Sequence, residues 1–178
     1  MSLPASLDAT PLDPARFAGQ VNDHPTTLHQ LHNGRGMSVA VTNLGAKVLQ
    51  ILVPDRHGEP GDIALGYDNL ASVLAGSPSM GAFIGRFAGR IARARFPLGG
   101  IEHTLPANAG QHCVHGGPGG SRHQVFRAEQ TDERTLHLHH RFAPQNDGFP
   151  GTLDLHLTYR LEDDHTFVIE HQATTLRP

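Results

Sequence analysis

The sequence predicts an all-β protein, an antiparallel β-sandwich or barrel, and two observations favour it. Segments such as residues 37–42, 48–53 and 135–139 are short, β-branched or alternating, and bounded by turn-forming residues, which is typical of strands. The 178 residues include 20 glycines and 13 prolines without a repeating period, so frequent turns are expected. Many short strands with little helix favour this class over a doubly wound α/β sheet.

Each further element is indicated by its own turn or cap. Residues 1–25 are expected to form a loose lead-in with a short helix around residues 14–20, and residues 26–178 the sandwich domain. Asp68 or Asn69 can cap a short helix that ends before Gly76. The pair Gly99-Gly100 between two short strands predicts a tight hairpin. The acidic turn at residues 162–165 predicts a second hairpin.

Composition and charge exclude several function classes. With 14 basic and 17 acidic side chains the formal net charge is −3, which gives no electrostatic footprint for nucleic acid or an anionic membrane. The single cysteine, Cys113, cannot form an internal disulfide, and a reducing compartment fits best. The sequence shows neither a signal peptide nor a membrane span, so we expect a cytoplasmic protein. Phosphate-loop and nucleophile-elbow motifs are absent from the sequence.

Two neighbouring segments are the best candidates for a binding site. Residues 85–91 read Gly-Arg-Phe-Ala-Gly-Arg-Ile, which suggests a backbone that turns closely past a polar ligand while Arg86 and Arg90 donate hydrogen bonds. His115, followed by two glycines, could bond a ligand hydroxyl. The alternatives are two surface arginines and an ordinary loop histidine.

A metal site is a further alternative because histidines cluster at residues 112–115 and 137–140. On a strand, His137 and His139 share a face, as ligands in a cupin-like barrel do. No carboxylate follows this pair closely. We therefore favour solvent-facing histidines opposite Leu136 and Leu138, and we expect no metal.

Six short motifs taken together resemble the aldose 1-epimerase, or galactose mutarotase, family from about residue 28 to residue 178. Each motif is weak alone, and their order and spacing make the match specific. They are Asn-Leu-Gly-Ala at 43–46, Val-Pro-Asp-Arg at 53–56, Leu-Gly-Tyr-Asp at 65–68, the segment 85–91, His-Gly-Gly at 115–117 and Gly-Phe-Pro-Gly-Thr-Leu at 148–153.

The resemblance implies a large antiparallel β-sandwich of the galactose mutarotase type whose open face binds a free hexose. Such an enzyme interconverts the α and β anomers of a sugar such as galactose or glucose, with no metal and no cofactor. Arg90 and His115 match the family's sugar-contacting arginine and first histidine, and Gly89 stands where the family usually has asparagine. Gly89, Arg90 and His115 are therefore the expected substrate-binding residues.

Two features depart from the family pattern. The family's general-acid histidine and glutamate base would lie beyond Pro178, so no catalytic residue is expected within this chain, which would be inactive alone. A missing C-terminal half, or self-association, would cover the open strand edges.

Where the family usually has Gly-Phe-Asp-Lys, this chain has Gly-Ser-Arg-His at residues 120–123. A non-catalytic carbohydrate-binding β-sandwich is the alternative function, and the absence of tryptophan counts against it.

Overall fold

The computed structural model describes residues 9–144 and 146–176, and most of its regular structure is β-strand. One short α-helix, α1, spans Leu70–Ala75. The strands in chain order are β1 (Gly19–Val21), β2 (His24–Thr26), β3 (Leu28–His32), β4 (Ser38–Thr42), β5 (Lys47–Pro54), β6 (Pro60–Asp62), β7 (Arg90–Ile91), β8 (Arg95–Leu98), β9 (Ile101–Thr104), β10 (Cys113–Val114), β11 (Arg127–Gln130), β12 (Thr135–Phe142), β13 (Thr152–Leu161) and β14 (Phe167–Leu176).

Two four-stranded antiparallel sheets form the body of the fold. The first sheet has the strand order β3-β4-β5-β6, and the second has the order β11-β12-β13-β14. Alternation along β12 turns Leu136 and Leu138 into the core, while His137 stays exposed. Together with Val39 of β4 and Tyr159 of β13, these leucines belong to one buried cluster between the sheets. The predicted sandwich is confirmed, and His137 faces solvent as expected, while His139 is partly buried.

The first sheet is covered on its other face as well. A second cluster joins Phe17, which is fully buried, to Leu49 of β5 and Val73 of α1. The prediction of a helix over residues 14–20 was wrong beyond Phe17. A 3₁₀ helix spans Pro14–Phe17, and the chain then pairs β1 with β2. The part of the expected lead-in that the structure describes is therefore packed against the sheet.

The two predicted hairpins are confirmed, and so is the predicted helix that ends before Gly76. β8 and β9 are joined by Gly99 and Gly100, both with positive φ angles of 60° and 80°, the conformation that a tight two-residue hairpin loop requires. β13 pairs with β14 over their full lengths. The Asn69 side chain caps α1 by accepting a hydrogen bond from the Ser72 amide at 2.8 Å.

The last described strand, β14, lies at an edge of the second sheet. Among the described residues it pairs with β13 alone, and Ile169 on this strand is 46% exposed. Its free backbone groups are able to pair with another strand. Within residues 9–144 and 146–176, none of the helices has the length and apolar character that crossing a membrane requires.

Candidate functional site

A small two-stranded ladder brings the three predicted site residues together. β7 pairs antiparallel with β10, with Arg90 opposite Val114. Just beyond the ladder, the His115 amide donates to the Gly89 carbonyl at 2.9 Å. The Gly89 amide donates in return to Nδ1 of His115 at 3.1 Å. Gly89, Arg90 and His115 are therefore adjacent, although 25 positions separate Arg90 from His115 in the sequence.

The hydrogen bond from Gly89 also fixes the protonation pattern of the His115 ring. Because Nδ1 accepts a backbone N–H, the neutral ring carries its proton on Nε2. Nε2 has no partner among the described residues. It is not a buried atom either, since the one buried side-chain nitrogen or oxygen without a partner in those residues is Nε of Arg86. The half-buried His115 therefore presents Nε2–H to solvent as a hydrogen-bond donor. Its backbone has a φ of 54°, where the chain leaves β10.

The Arg90 side chain is exposed and borders an apolar hollow of about 390 Å³. Among the described residues its guanidinium makes no hydrogen bond or ion pair, so all its donors are free for a ligand. His115 is not among the residues that line this hollow. The other lining residues are Phe87, Ile91, Phe96, Leu98, Phe149 and Pro150.

Asn108 holds the outer side of β10 in place of a third strand. Its side-chain amide donates to the Val114 carbonyl at 3.0 Å, and its oxygen accepts from the Val114 amide at 2.7 Å. Cys113 belongs to β10, and its side chain is buried in a small cluster that includes Leu105 and Phe149. Burial is the main cause that raises the pKa of the Cys113 thiol, so this cysteine is a packing residue and a poor nucleophile.

Arg86 does not have the ligand-binding role that its place in the motif suggested, and it is not a simple surface arginine. Its Nη1 donates to the Pro150 carbonyl at 3.2 Å, and its Nη2 to the carbonyls of Phe142, Ala143 and Gly151 at 2.9–3.2 Å. The guanidinium also lies 5.5 Å from the centre of the Phe142 ring. Arg86 therefore fixes the loop between β12 and β13, which carries Phe149 and Pro150 to the hollow beside Arg90.

The histidines of the second sheet form a polar outer face. His139 stacks on His156 with ring centres 4.4 Å apart, and its Nε2 lies 3.2 Å from the Asp154 carboxylate. Within residues 9–144 and 146–176, no group of three or more histidine, cysteine or acidic side chains is arranged to hold a metal ion.

Comparison with known proteins identifies the family. The family model described as Aldose 1-epimerase matches residues 27–178. The chain belongs to the aldose 1-epimerase family. It is 34% identical to mouse galactose mutarotase over 138 residues, which cover 77% of this chain and 40% of the mouse protein. It is 33% identical to the aldose 1-epimerase of Escherichia coli K12 over 159 residues, or 86% of this chain and 44% of that enzyme.

Solved structures of aldose 1-epimerase homologues share the fold. A homologue from C. elegans superposes with a TM-score of 0.81 at 28% identity, covering 85% of this chain and 47% of that chain. Galactose 1-epimerase from Lactobacillus acidophilus gives a TM-score of 0.76 at 26% identity, with 88% and 46% covered. The predicted galactose mutarotase fold is confirmed. The chain spans less than half the length of the relatives that it matches.

The glycine at position 89 and the altered loop at residues 120–123, which both depart from the aldose 1-epimerase pattern, have structural counterparts. Gly89 has a φ of 86°, and no heavy atom lies within 4 Å of the position that a Cβ would take, so the missing asparagine side chain leaves open space. The Arg122 side chain of the altered loop is only 8% exposed.

Sequence reasoning missed the support given by Arg86 and Asn108. Arginine and asparagine have donors and acceptors that suit a ligand and the backbone equally well. The signal that could have pointed to Asn108 is its place six residues before Val114, across a turn that contains Gly110.

Proposed function

We propose that this chain binds a free hexose, such as galactose or glucose, beside Arg90 and His115 and supplies this sugar-binding part of an aldose 1-epimerase. The observation that carries the proposal is the reciprocal pair of hydrogen bonds between Gly89 and His115. This pair orients the His115 imidazole as a donor on a residue whose backbone lies beside that of Arg90. An oriented imidazole donor and a guanidinium with spare donors are suited to sugar oxygens, which are good acceptors.

The chemistry of the motif supports binding and polarisation more than proton removal. Ring opening requires a base that takes the proton of the C1 hydroxyl and an acid that protonates the ring oxygen. The guanidinium of Arg90 has N–H donors and no acceptor. His115 presents Nε2–H and therefore polarises the oxygen that it contacts. Neither side chain acts as a base, and we propose that this chain alone does not accelerate anomer interconversion.

The apolar hollow beside Arg90 is consistent with a sugar site. A pyranose has apolar C–H faces as well as hydroxyl groups, and aromatic rings such as Phe87 and Phe96 are suited to pack against those faces. The guanidinium at the rim would then reach the hydroxyl groups. As for the compartment, the buried free thiol of Cys113 favours a reducing environment, and we propose the cytoplasm.

Calorimetric titration with galactose and with glucose tests the binding proposal. We expect saturable binding, weakened about 10-fold or more in Arg90→Met, because a hydrogen bond to a charged group is worth about 1.5–3 kcal/mol. Arg56→Met, on the exposed turn between β5 and β6, is the matched control and should bind like the parent chain. Equal affinity of the two variants, or no saturable binding at all, would overturn the proposal.

Polarimetry with α-galactose tests the claim that the chain alone is inactive. The rate of approach to anomeric equilibrium should equal that of buffer containing the same concentration of free imidazole. A faster rate that His115→Ala abolishes would show that the chain catalyses the reaction unaided.

A further inference from the structure

A second hollow, lined by both apolar and polar side chains, lies between the first sheet, the end of α1 and the loop that follows His115. Its volume is about 300 Å³. None of its lining residues lines the hollow beside Arg90. Of the four polar side chains that line it, three are basic. The polar side chains that line it are those of Asn22, Lys47, Arg122 and His123.

Lys47 presents a buried ammonium group at this hollow. The residue is 2% exposed, and Nζ donates to the carbonyl oxygens of Arg122 at 2.7 Å and Leu44 at 3.3 Å. An ammonium has three N–H donors, so one is left without a partner among the described residues. No carboxylate there forms an ion pair with Lys47. Burial, together with the charge of Arg122, lowers the pKa of Lys47 to about 8.

Arg122 and His123 add further donors to the same wall. Nη1 of Arg122 donates to the Ser79 hydroxyl at 2.9 Å, and Nε donates to Nε2 of His123 at 3.0 Å. In the described part of the chain, Nη2 of Arg122 has no partner. Because Nε2 of His123 accepts, the neutral His123 ring carries its proton on Nδ1 and donates from there.

The charges around His123 are mainly of one sign. Burial and the charges of Arg122 and Lys47 lower the pKa of His123, and only the Asp147 carboxylate opposes them. Burial likewise lowers the pKa of Arg122, and Cys113 has a small opposite effect. Cationic groups held together in a half-enclosed space are costly unless a counter-charge is present. The described residues supply no direct ion pair for Lys47 or Arg122.

We propose that this hollow binds a small tetrahedral oxyanion, inorganic phosphate or the phosphate group of a sugar phosphate. Such a group accepts several hydrogen bonds at once, from the spare donors of Lys47, Arg122 and His123, and it offsets their mutual repulsion. The Asn22 amide at the rim has no other partner in the described chain and can add a neutral donor. The altered loop supports this assignment, because Arg122 stands where the resemblance expects an aspartate.

The single lysine of the sequence allows a direct test on the unmodified chain. A sample labelled with 13C at the lysine Cε gives one side-chain signal by NMR, which reports the charge of Lys47. Adding inorganic phosphate at constant ionic strength, with chloride as the balancing salt, should shift this signal saturably. We also expect the titration midpoint of Lys47 to rise by about one pH unit, since a bound anion that favours the charged form about 10-fold moves it that far.

Glucose 6-phosphate serves as the second probe and galactose as the uncharged control. A saturable response to both phosphates supports a site for the phosphate group. A response to inorganic phosphate alone supports a site for the free ion. A signal that responds to neither, or equally to chloride, overturns the proposal. Because galactose binding is measured separately at Arg90, this site and the proposed sugar site can fail independently.

Thermal unfolding of a matched pair of variants supplies the second measurement. Phosphate should raise the melting temperature of the parent chain and of Arg56→Gln, whose exposed side chain lies on the turn between β5 and β6 and does not line the hollow. It should not raise that of Lys47→Met, which keeps the length of the side chain and removes the ammonium. An equal phosphate response in Lys47→Met would overturn the proposal. If that variant does not fold, the labelled lysine signal of the parent chain decides.

Discussion

The buried ammonium of Lys47 makes the stability of the chain depend on pH above neutrality. Its pKa is lowered from 10.5 to about 8 in the folded chain, first by burial and then by Arg122. In the unfolded chain the ordinary value returns. Between pH 8 and 10.5 the unfolded state therefore binds more protons, and the free energy of unfolding rises with pH. Since one pH unit between two pKa values corresponds to about 1.4 kcal/mol, the full gain is about 3 kcal/mol.

Urea unfolding in phosphate-free buffer between about pH 7.5 and 10.5 measures this dependence. Cys113 and Tyr159 have the opposite effect on the free energy of unfolding. Burial raises the pKa of both groups, so their contribution to this free energy falls with rising pH as the unfolded chain deprotonates. In the difference between the free energies of unfolding of the parent chain and Lys47→Met, the contributions of these two groups cancel. We expect that difference to change by about 3 kcal/mol in favour of the parent as pH rises. A difference that stays constant with pH would refute the assignment of a buried charge at Lys47.

Three substitutions test the remaining structural arguments. Gly89→Asn should raise galactose affinity about 5-fold in calorimetry, since one added hydrogen bond is worth about 1 kcal/mol. Gly89→Ala, strained at the φ of 86° and without an amide, should not; equal affinities would contradict the argument. Arg86→Met should lower the free energy of unfolding by about 2–4 kcal/mol in urea, because four carbonyls lose their donor. A loss below about 0.5 kcal/mol would contradict the role of Arg86 in fixing the loop between β12 and β13. Tyr159→Phe removes the 2.9 Å bond to the Ala46 carbonyl and should cost about 1–2 kcal/mol, seen as a lower melting temperature; an unchanged one would argue that the bond contributes nothing.

The strands could be predicted because their information is local. Alternation in β12 sets which side chains face the core, and Gly99-Gly100 permits the positive φ angles of the hairpin between β8 and β9. The cap of α1 is equally local, since Asn69 bonds an amide three residues away. The helix expected over residues 14–20 failed at its end because pairing of β1 with β2 overrode the weak preference of the segment.

The sequence by itself determined most of the order of strands and turns and the family, and it supplied the residues that we propose for the sugar site. Tertiary structure decided what those residues contact. Arg86 and Arg90 belong to the same short motif. Arg86 donates to carbonyls more than 50 positions away, whereas the Arg90 guanidinium has no partner in the described part of the chain. Lys47 and Arg122 meet although 75 positions separate them. Such pairings depend on how the sheets pack, because a hydrogen bond or a charge acts through space, and distance along the chain does not report it.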